Sequence, residues 1–440
     1  MRPTPALVAG GRMVTSFLSA TEWMLPSPAT QVHTISVLPS RRDFAFSNLT
    51  MLLRNSGGNE GESGSTKFHV VRDDLLHPLA NGNKARKLDA LLPILRRCGV
   101  TDIVTCGGCQ SAHAAAIAVH CAEWGIRPHI LLRGEQLDVP TGYNLISLMF
   151  GNVTYVSRSL YAQRDEMLYE HAIKVAGYSG TVMWADEVIG KGLGVDEDTT
   201  DGNGSRRVMI VKEGAGSVQA LLGVMRLLKY LSGLTLFRKD EKVHIVVDSG
   251  TGTTAVGLAL GACYSPCIFA TYHISFNSLT CRLQWRVTAV MLADTLEGYK
   301  QRERSLLSDF EKVFPEIYHG MVEDATHDNL VQWVERFSPR RSQHIQNQTL
   351  ILEDNIQDST YPDYGFGKVL DGEIAMCRQV AQQTGILLDP MYTLAAWEQA
   401  VDICCGDSEA KVLMIHTGGT LGLFGLAQRY SSQFNTGEQP

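Results

Sequence analysis

The chain has 440 residues, 44% hydrophobic and 19% charged, which excludes disorder as the default and allows two or more cores at about 150 residues per domain. Its net charge of −7 leaves no basic excess for a nucleic-acid footprint, so a small-molecule ligand is expected and no nucleic-acid partner. Ten cysteines are scattered without the dense spacing of a small secreted scaffold, which favours reduced thiols in an intracellular compartment.

Residues 1–21 carry Arg2 and Arg12, several hydroxyl side chains and no acid before Glu22, the bias of an organellar transit peptide. Asn81-Gly82-Asn83-Lys84-Ala85-Arg86-Lys87-Leu88 then sets a lysine in a glycine and asparagine turn at a helix start. A lysine that is desolvated or flanked by positive charge loses its proton and can form a Schiff base; the alternative is a solvated basic turn.

From residue 101 short apolar runs alternate with helical stretches. Strands are predicted at Thr101–Cys106, Pro128–Arg133 and Val153–Val156, and helices at Ala112–Trp124, Gly142–Phe150 and Tyr161–Ala176. This alternation implies an α/β fold with a parallel sheet. The polar, glycine-rich stretch 188–204 reads as an insertion or linker. Beyond it the rhythm resumes with strands Val208–Lys212, Val243–Val247 and Lys411–Ile415, and helices near Ser217–Ser232, after Thr254, over Gly372–Thr384 and from Leu394. Ser249 to Cys281 lacks any charge, yet Pro266, His273 and many small polar residues exclude a membrane span there.

Four turns follow predicted strands or precede helices. Asp248-Ser249-Gly250-Thr251-Gly252-Thr253-Thr254 runs from a strand into an apolar helix, an order that offers backbone N–H groups, hydroxyls and a helix N-terminus to a phosphate. It is not a Walker loop, and the dinucleotide fingerprint fails at Ala255. Cys106-Gly107-Gly108-Cys109-Gln110-Ser111-Ala112-His113 could grip a carboxylate. Its C-x-x-C would suit a redox pair, but no second pair accompanies it, and His113 and His120 on one helix lack a third zinc ligand. No metal is therefore expected. Leu388-Asp389-Pro390-Met391-Tyr392-Thr393 and His416-Thr417-Gly418-Gly419-Thr420 add polar groups at positions where open α/β sheets bind ligands. A candidate Schiff-base lysine, a phosphate cradle and these polar tips together point to pyridoxal 5'-phosphate.

GNKARKL, GGCQSAH, SGTGTT, DPMYT and HTGG, in this order, resemble the D-cysteine desulfhydrase and 1-aminocyclopropane-1-carboxylate deaminase family of fold-type II pyridoxal phosphate enzymes. The likeness runs from about Glu22 to the C-terminus, apart from the polar insertion. It implies two open, twisted, mostly parallel sheets flanked by helices, in two domains with the cofactor between them. The large cofactor-binding domain would be 22–98 with 205–440, and the small domain 99–187. It implies that Lys84 bears the cofactor, that Ser111 lies over the substrate carboxylate and Cα, and that Gly250, Thr251, Gly252, Thr253 and Thr254 bind the phosphate. Tyr392 would face the substrate with Tyr364 as its companion, and a homodimer and a mitochondrial location are implied as well.

Where the deaminase branch has a glutamate that keeps the pyridine nitrogen protonated, this chain has Thr393. A neutral hydroxyl disfavours a long-lived carbanion and favours a substrate that expels its own leaving group, such as thiolate. The expectation is elimination on cysteine, D-cysteine by resemblance, giving hydrogen sulfide, pyruvate and ammonia. Alternatives are a deaminase acting on the cyclopropane amino acid and a cofactor-binding protein with little catalysis. Ala112 departs from the asparagine usual in the family, a loss of about 1–3 kcal/mol if a hydrogen bond to the cofactor goes with it.

Overall fold

The computed structural model describes residues 14–39, 49–54, 66–80, 82–190, 205–238, 241–264, 284–321, 330–336, 368–407 and 409–435. In chain order the strands are β1 (Val32–Pro39), β2 (Leu49–Arg54), β3 (Thr66–Val71), β4 (Asp102–Gly108), β5 (Arg127–Arg133), β6 (Asn152–Val156), β7 (Thr181–Trp184), β8 (Arg207–Ile210), β9 (Lys242–Ser249), β10 (Gln284–Met291), β11 (Val331–Glu335) and β12 (Lys411–Ile415). They form a seven-stranded sheet in the order β11-β10-β9-β12-β3-β1-β2 and a five-stranded sheet in the order β6-β5-β4-β8-β7. The smaller sheet is parallel throughout. The larger is parallel from β11 to β3 and antiparallel across β3, β1 and β2. The alternating pattern predicts parallel strands, and two mostly parallel sheets flanked by helices are the architecture that the resemblance implies.

The central strands read as they do because both faces are covered. In β9, Val243, Ile245, Val246 and Val247 are all buried, a near-continuous β-branched run suited to a parallel sheet packed on both sides. Five helices bear on the site: α1 (Asn83–Leu88), α2 (Ala112–Glu123), α3 (Val218–Ser232), α4 (Thr253–Tyr264) and α5 (Thr393–Gly406). Helix α4 is apolar nearly all round and packs between α3 and the large sheet. Helix α3 comes so close to α1 that a side chain at Gly223 would overlap the carbonyl oxygen of Arg86.

Two groupings differ from the expected domain boundaries. Strand β8, expected with the large part, pairs with β4 and β7 inside the smaller sheet. Its apolar Val208, Met209 and Ile210 are buried, and only the chain, not space, separates it from its neighbours. Leu88, Leu91, Leu92 and Leu95, also expected with the large part, share a core with α2, β4 and β5. The predicted helix over Tyr161–Ala176 is two, Arg158–Ala162 and Arg164–Ala176, because Ser157 caps an earlier turn by accepting from Leu160 N at 3.3 Å. Of the charge-free stretch after Ser249, residues to 264 finish the glycine turn and form α4, while 265–283 lie outside the described residues. No helix among the described residues is long and apolar enough to cross a membrane.

Residues 14–20, grouped above with the transit peptide, form a helix, and its Val14 and Leu18 are 0% and 3% exposed in the core shared by α3 and α4. Trp23 Nε1 donates to Leu18 O at 3.1 Å and fixes the chain leaving that helix. Burying two such side chains contributes about 3–5 kcal/mol. Deleting residues 1–21 is therefore expected to lower unfolding free energy by about that amount in a urea titration, whereas deleting residues 1–13 leaves these contacts in place.

Candidate active site

The site gathers at the carboxyl ends of β4, β9 and β12 and at the turn after β8, the place where open parallel sheets bind ligands. Its centre is the start of α1. Gly82 stands before it with φ +73°, where a side chain would be strained and would overlap the carbonyl oxygen of Thr417. Asn83 N donates to that oxygen at 3.1 Å and Gly82 N donates to Asp73 O at 2.8 Å. From the next turn Arg86 donates to Asp73 Oδ1 at 2.8 Å, to Asp73 Oδ2 at 3.1 Å and to Pro28 O at 3.0 Å. Both charged side chains are 1% exposed, so losing either partner would cost about 3–5 kcal/mol. Arg86 is thus a buried anchor of the helix, and the basic turn is not a solvated patch.

Lys84 is mostly enclosed. Its Nζ donates to Asn83 Oδ1 at 2.8 Å, and Asn83 Nδ2 donates in turn to Thr254 Oγ1 at 3.2 Å. Burial lowers its pKa, opposed by the fields of Asp248 and Asp389. Lys87, one turn on, is 2% exposed and donates to Gly214 O at 3.1 Å and Thr251 Oγ1 at 3.2 Å. Burial holds its pKa well below the usual lysine value, and Lys84 lowers it further. Among the described residues neither amine reaches ion-pair distance of a carboxylate.

The glycine turn after β9 runs through Gly250, Thr251 and Gly252 into α4, where Thr253 and Thr254 are buried. Facing it is the turn Glu213–Ala215 after β8, in which Gly214 has φ +78° and Ala215 φ +47°, a strained conformation for alanine. Thr251 packs against Gly214, and Thr253 lies beside Gly216. Ser217, which opens α3, and Ser249 both carry buried hydroxyl oxygens with no hydrogen-bond partner among the described residues.

Ser111 caps α2, its Oγ accepting from Ala114 N at 3.2 Å, so its own O–H remains to be donated. Tyr392 lies across Gly250, where an added methyl would sit 3.6 Å from ring carbon Cε1. Burial and then Asp389 raise its hydroxyl pKa. Thr393 is 0% exposed, and its hydroxyl donates to Asp389 Oδ2 at 2.8 Å. Asp389 Oδ1 accepts from Met391 N and Tyr392 N at 2.9 Å each, which fixes the turn that leads into α5. Tyr364 lies outside the described residues, as does Asn81.

The remaining candidates take ordinary places. Cys106 is buried, with burial and then Glu213 pushing its thiol up to about 12, and Cys109 donates to Arg133 O at 3.2 Å. Neither has the lowered pKa of a redox thiolate, and they are not bonded to each other. His113 contacts Thr105 Oγ1 at 3.0 Å and His120 contacts Glu123 at 2.9 Å, both buried and apart. No cluster of metal-ligating side chains occurs among the described residues.

Three residues given no separate role by sequence complete the arrangement: Lys87, Asp248 and Thr417. Asp248, next to last in β9, is 3% exposed, and its Oδ1 accepts from Thr417 Oγ1 at 2.6 Å. Their only signal in the sequence is position, each standing inside a motif already noted for another residue.

No family model matches the chain. A protein of Oryza sativa subsp. japonica named "Putative D-cysteine desulfhydrase 2, mitochondrial" is 66% identical over 446 aligned positions, covering 100% of both chains. The chain belongs to the D-cysteine desulfhydrase and 1-aminocyclopropane-1-carboxylate deaminase family. An Arabidopsis thaliana "Bifunctional D-cysteine desulfhydrase/1-aminocyclopropane-1-carboxylate deaminase, mitochondrial" is 21% identical over 84% of this chain and 77% of its own. The crystal structure of an "ACC deaminase homologue" superposes with a TM-score of 0.61 at 20% identity, over 96% of this chain and 98% of that one, which establishes the shared fold.

Members of this family are pyridoxal phosphate enzymes of fold-type II. The residues present fit that cofactor. Lys84 offers an amine whose charge burial disfavours, and Lys87 offers a buried amino group with no carboxylate at ion-pair distance among the described residues. Ser217 and Ser249 supply buried hydroxyls without partners among the described residues. A buried cation lacking an anion is costly, and a phosphate would offset that cost.

Lys87→Met therefore removes a charge-assisted hydrogen bond worth about 1.5–3 kcal/mol and should raise the cofactor dissociation constant about ten- to a hundredfold in a fluorescence titration. The cofactor-free protein should respond oppositely. Because the pKa of Lys87 is depressed, the folded state binds fewer protons than the unfolded, and stability rises with pH from neutrality toward about 10. Lys87→Met should flatten that rise and stabilise the cofactor-free protein at neutral pH.

Proposed function

We propose that this chain is a carbon–sulfur lyase that eliminates sulfide from cysteine, D-cysteine in preference to L-cysteine, leaving pyruvate and ammonia. The observation that carries the reading is Lys84, an enclosed amine that donates to Asn83 and lies in the fields of Asp248 and Asp389. The name of the rice relative supports the substrate. When bound, pyridoxal phosphate supplies an aldehyde for the amines of lysine and substrate and a ring that withdraws electrons from Cα.

The chain's own residues divide the remaining work. Lys84 Nζ bears the cofactor and afterwards accepts the Cα proton, which its lowered pKa suits, since a base poised nearer neutrality is the more effective one. Ser111 donates its free O–H to the substrate carboxylate at the start of α2. Gly250 to Thr254 and Lys87 hold the phosphate. Tyr392, over Gly250, retains its hydroxyl proton and can donate it toward the departing sulfur. Thr393 would offer the ring nitrogen a neutral hydroxyl and no acid, its proton being directed to Asp389. Tyr364 completes the substrate face in this reading.

A mitochondrial location belongs to the proposal, supported by the rice relative's name and the acid-free N-terminal segment. A homodimer belongs to it too, and analytical ultracentrifugation measures it.

Lys84→Ala is expected to abolish both sulfide release and the visible absorbance of bound cofactor; retained turnover overturns the mechanism. Sulfide and pyruvate assays with D-cysteine and L-cysteine, and a 2-oxobutyrate assay with 1-aminocyclopropane-1-carboxylate, should find sulfide from D-cysteine first. Ring opening as the main activity would favour the deaminase, and absorbance without any product would favour a binding protein.

A further inference from the structure

Asp248 has no part in the steps above, yet it is built into the site. It is the penultimate residue of β9, one before Ser249 and the glycine turn, and is 3% exposed. Thr417 Oγ1 donates to its Oδ1 at 2.6 Å, while the carbonyl of the same threonine accepts from Asn83 N at 3.1 Å. One hydrogen-bonded chain thus runs from Asp248 through Thr417 to the residue before Lys84, joining β9, the turn after β12 and α1. Breaking it would disturb the amine twice, through position and through charge.

The charged and titratable groups that act on Asp248 come from each element packed around it. Lys84 and Lys87 face it from α1, and Asp389 and Tyr392 from the start of α5. His416, beside Thr417, is turned elsewhere: its Nε2 meets Leu387 O at 3.0 Å and its Nδ1 accepts from Gly418 N at 3.3 Å. Asp248 makes no ion pair with either lysine, so it acts through its field. In a dry site that field is strong, and an ionised carboxylate favours the protonated amine. Asp389 works against ionisation of Asp248, since like charges in one buried site repel.

We propose that Asp248, held by Thr417, is the positioning residue that sets the protonation state of Lys84, keeping a proton on the amine when ionised and releasing it as a free base when itself protonated. This rests on the reading of Lys84 as the cofactor-bearing lysine. The range in which the switch operates follows from Asp248 itself: burial, and next Asp389, push its pKa up to about 6, against Thr417 and Lys84. The carboxylate therefore changes charge between mildly acidic and neutral pH.

The test is a pH titration of the visible band of the holoenzyme in wild type, Asp248→Asn and Thr417→Val. Asparagine keeps the acceptor for Thr417 and loses only the charge. Its titration midpoint is expected about one pH unit lower than wild type. Thr417→Val removes the donor that favours the ionised carboxylate and is expected to move the midpoint the same way by less. Equal midpoints in all three proteins overturn the proposal, and a higher midpoint in Asp248→Asn overturns it as well. Should Asp248→Asn not fold, the Thr417→Val shift decides alone. Borohydride reduction followed by peptide mass spectrometry separates this from the underlying reading: cofactor fixed to Lys84 with unmoved midpoints refutes only the role of Asp248, whereas cofactor fixed elsewhere refutes the reading of Lys84.

Discussion

Two amines held out of water, one helical turn apart, organise this molecule. Lys84 and Lys87 lie on α1 without a carboxylate in ion-pair contact among the described residues, and each on its own would be costly to bury as a cation. What makes the arrangement tolerable is different for the two. Lys84 has an amide oxygen at 2.8 Å and two carboxylates whose fields reach it, so its charge is contested and not forbidden. Lys87 has a carbonyl and a hydroxyl, with repulsion from Lys84 set against attraction from Asp248. One short helix would therefore, in the proposed reading, present a titratable nucleophile and an anion receptor in fixed relation.

That relation holds only if α1 cannot move, and several independent contacts see to it. Asp73 grips Arg86 from the turn after β3, the Thr417 carbonyl grips Asn83 from the turn after β12, and Gly223 lets α3 press on the backbone of the helix itself. None of these touches a ligand. Their net worth lies in position more than stability, since a buried ion pair such as Asp73–Arg86 returns little beyond its desolvation cost while leaving no freedom to either side chain. Lys87 then ties α1 to the turn after β8 and to the turn after β9, so the two sheets meet at the one helix that bears the chemistry.

Local signals carried much of this into the sequence. Gly142–Phe150 and Lys411–Ile415 are bounded by a glycine and by polar turns, and their ends appear where those residues stand. The turns after β4 and β9 are likewise visible, because each strand leads through glycines into an apolar helix, although Gly107 and Gly108, expected in the turn after Cys106, finish β4 itself. Pairing over distance is what stays hidden. The partners of Lys87 are 127 and 164 residues away, and the hydroxyl that holds Asp248 is 169 away, so no window of sequence contains both ends. Strand β8 is separated by the polar insertion from β7, its sheet neighbour, and the antiparallel β1 and β2 flank β3 at the edge of a sheet whose other strands are parallel. Arg86 misleads for a related reason: a basic run looks solvated until the acid that buries it is known.

The neutral side chain at position 393 follows from the same charge balance. Asp248 and Asp389 already place two carboxylates in the buried site, against the two lysines, and each carboxylate raises the proton affinity of its surroundings. A glutamate in place of Thr393, a position with 0% exposure, would add a third carboxylate and would remove the hydroxyl that donates to Asp389. One of the three would then have to bind a proton, and Asp389 would lose a hydrogen-bond donor. Threonine avoids both penalties and satisfies Asp389 at 2.8 Å. In the proposed reading the consequence reaches the reaction: a neutral hydroxyl in place of an acid would give the cofactor ring nitrogen no proton, electron withdrawal would be moderate, and the substrates best served would be those that carry their own leaving group. Cysteine meets that condition through its thiolate, and the cyclopropane amino acid, which must open a carbon ring, does not.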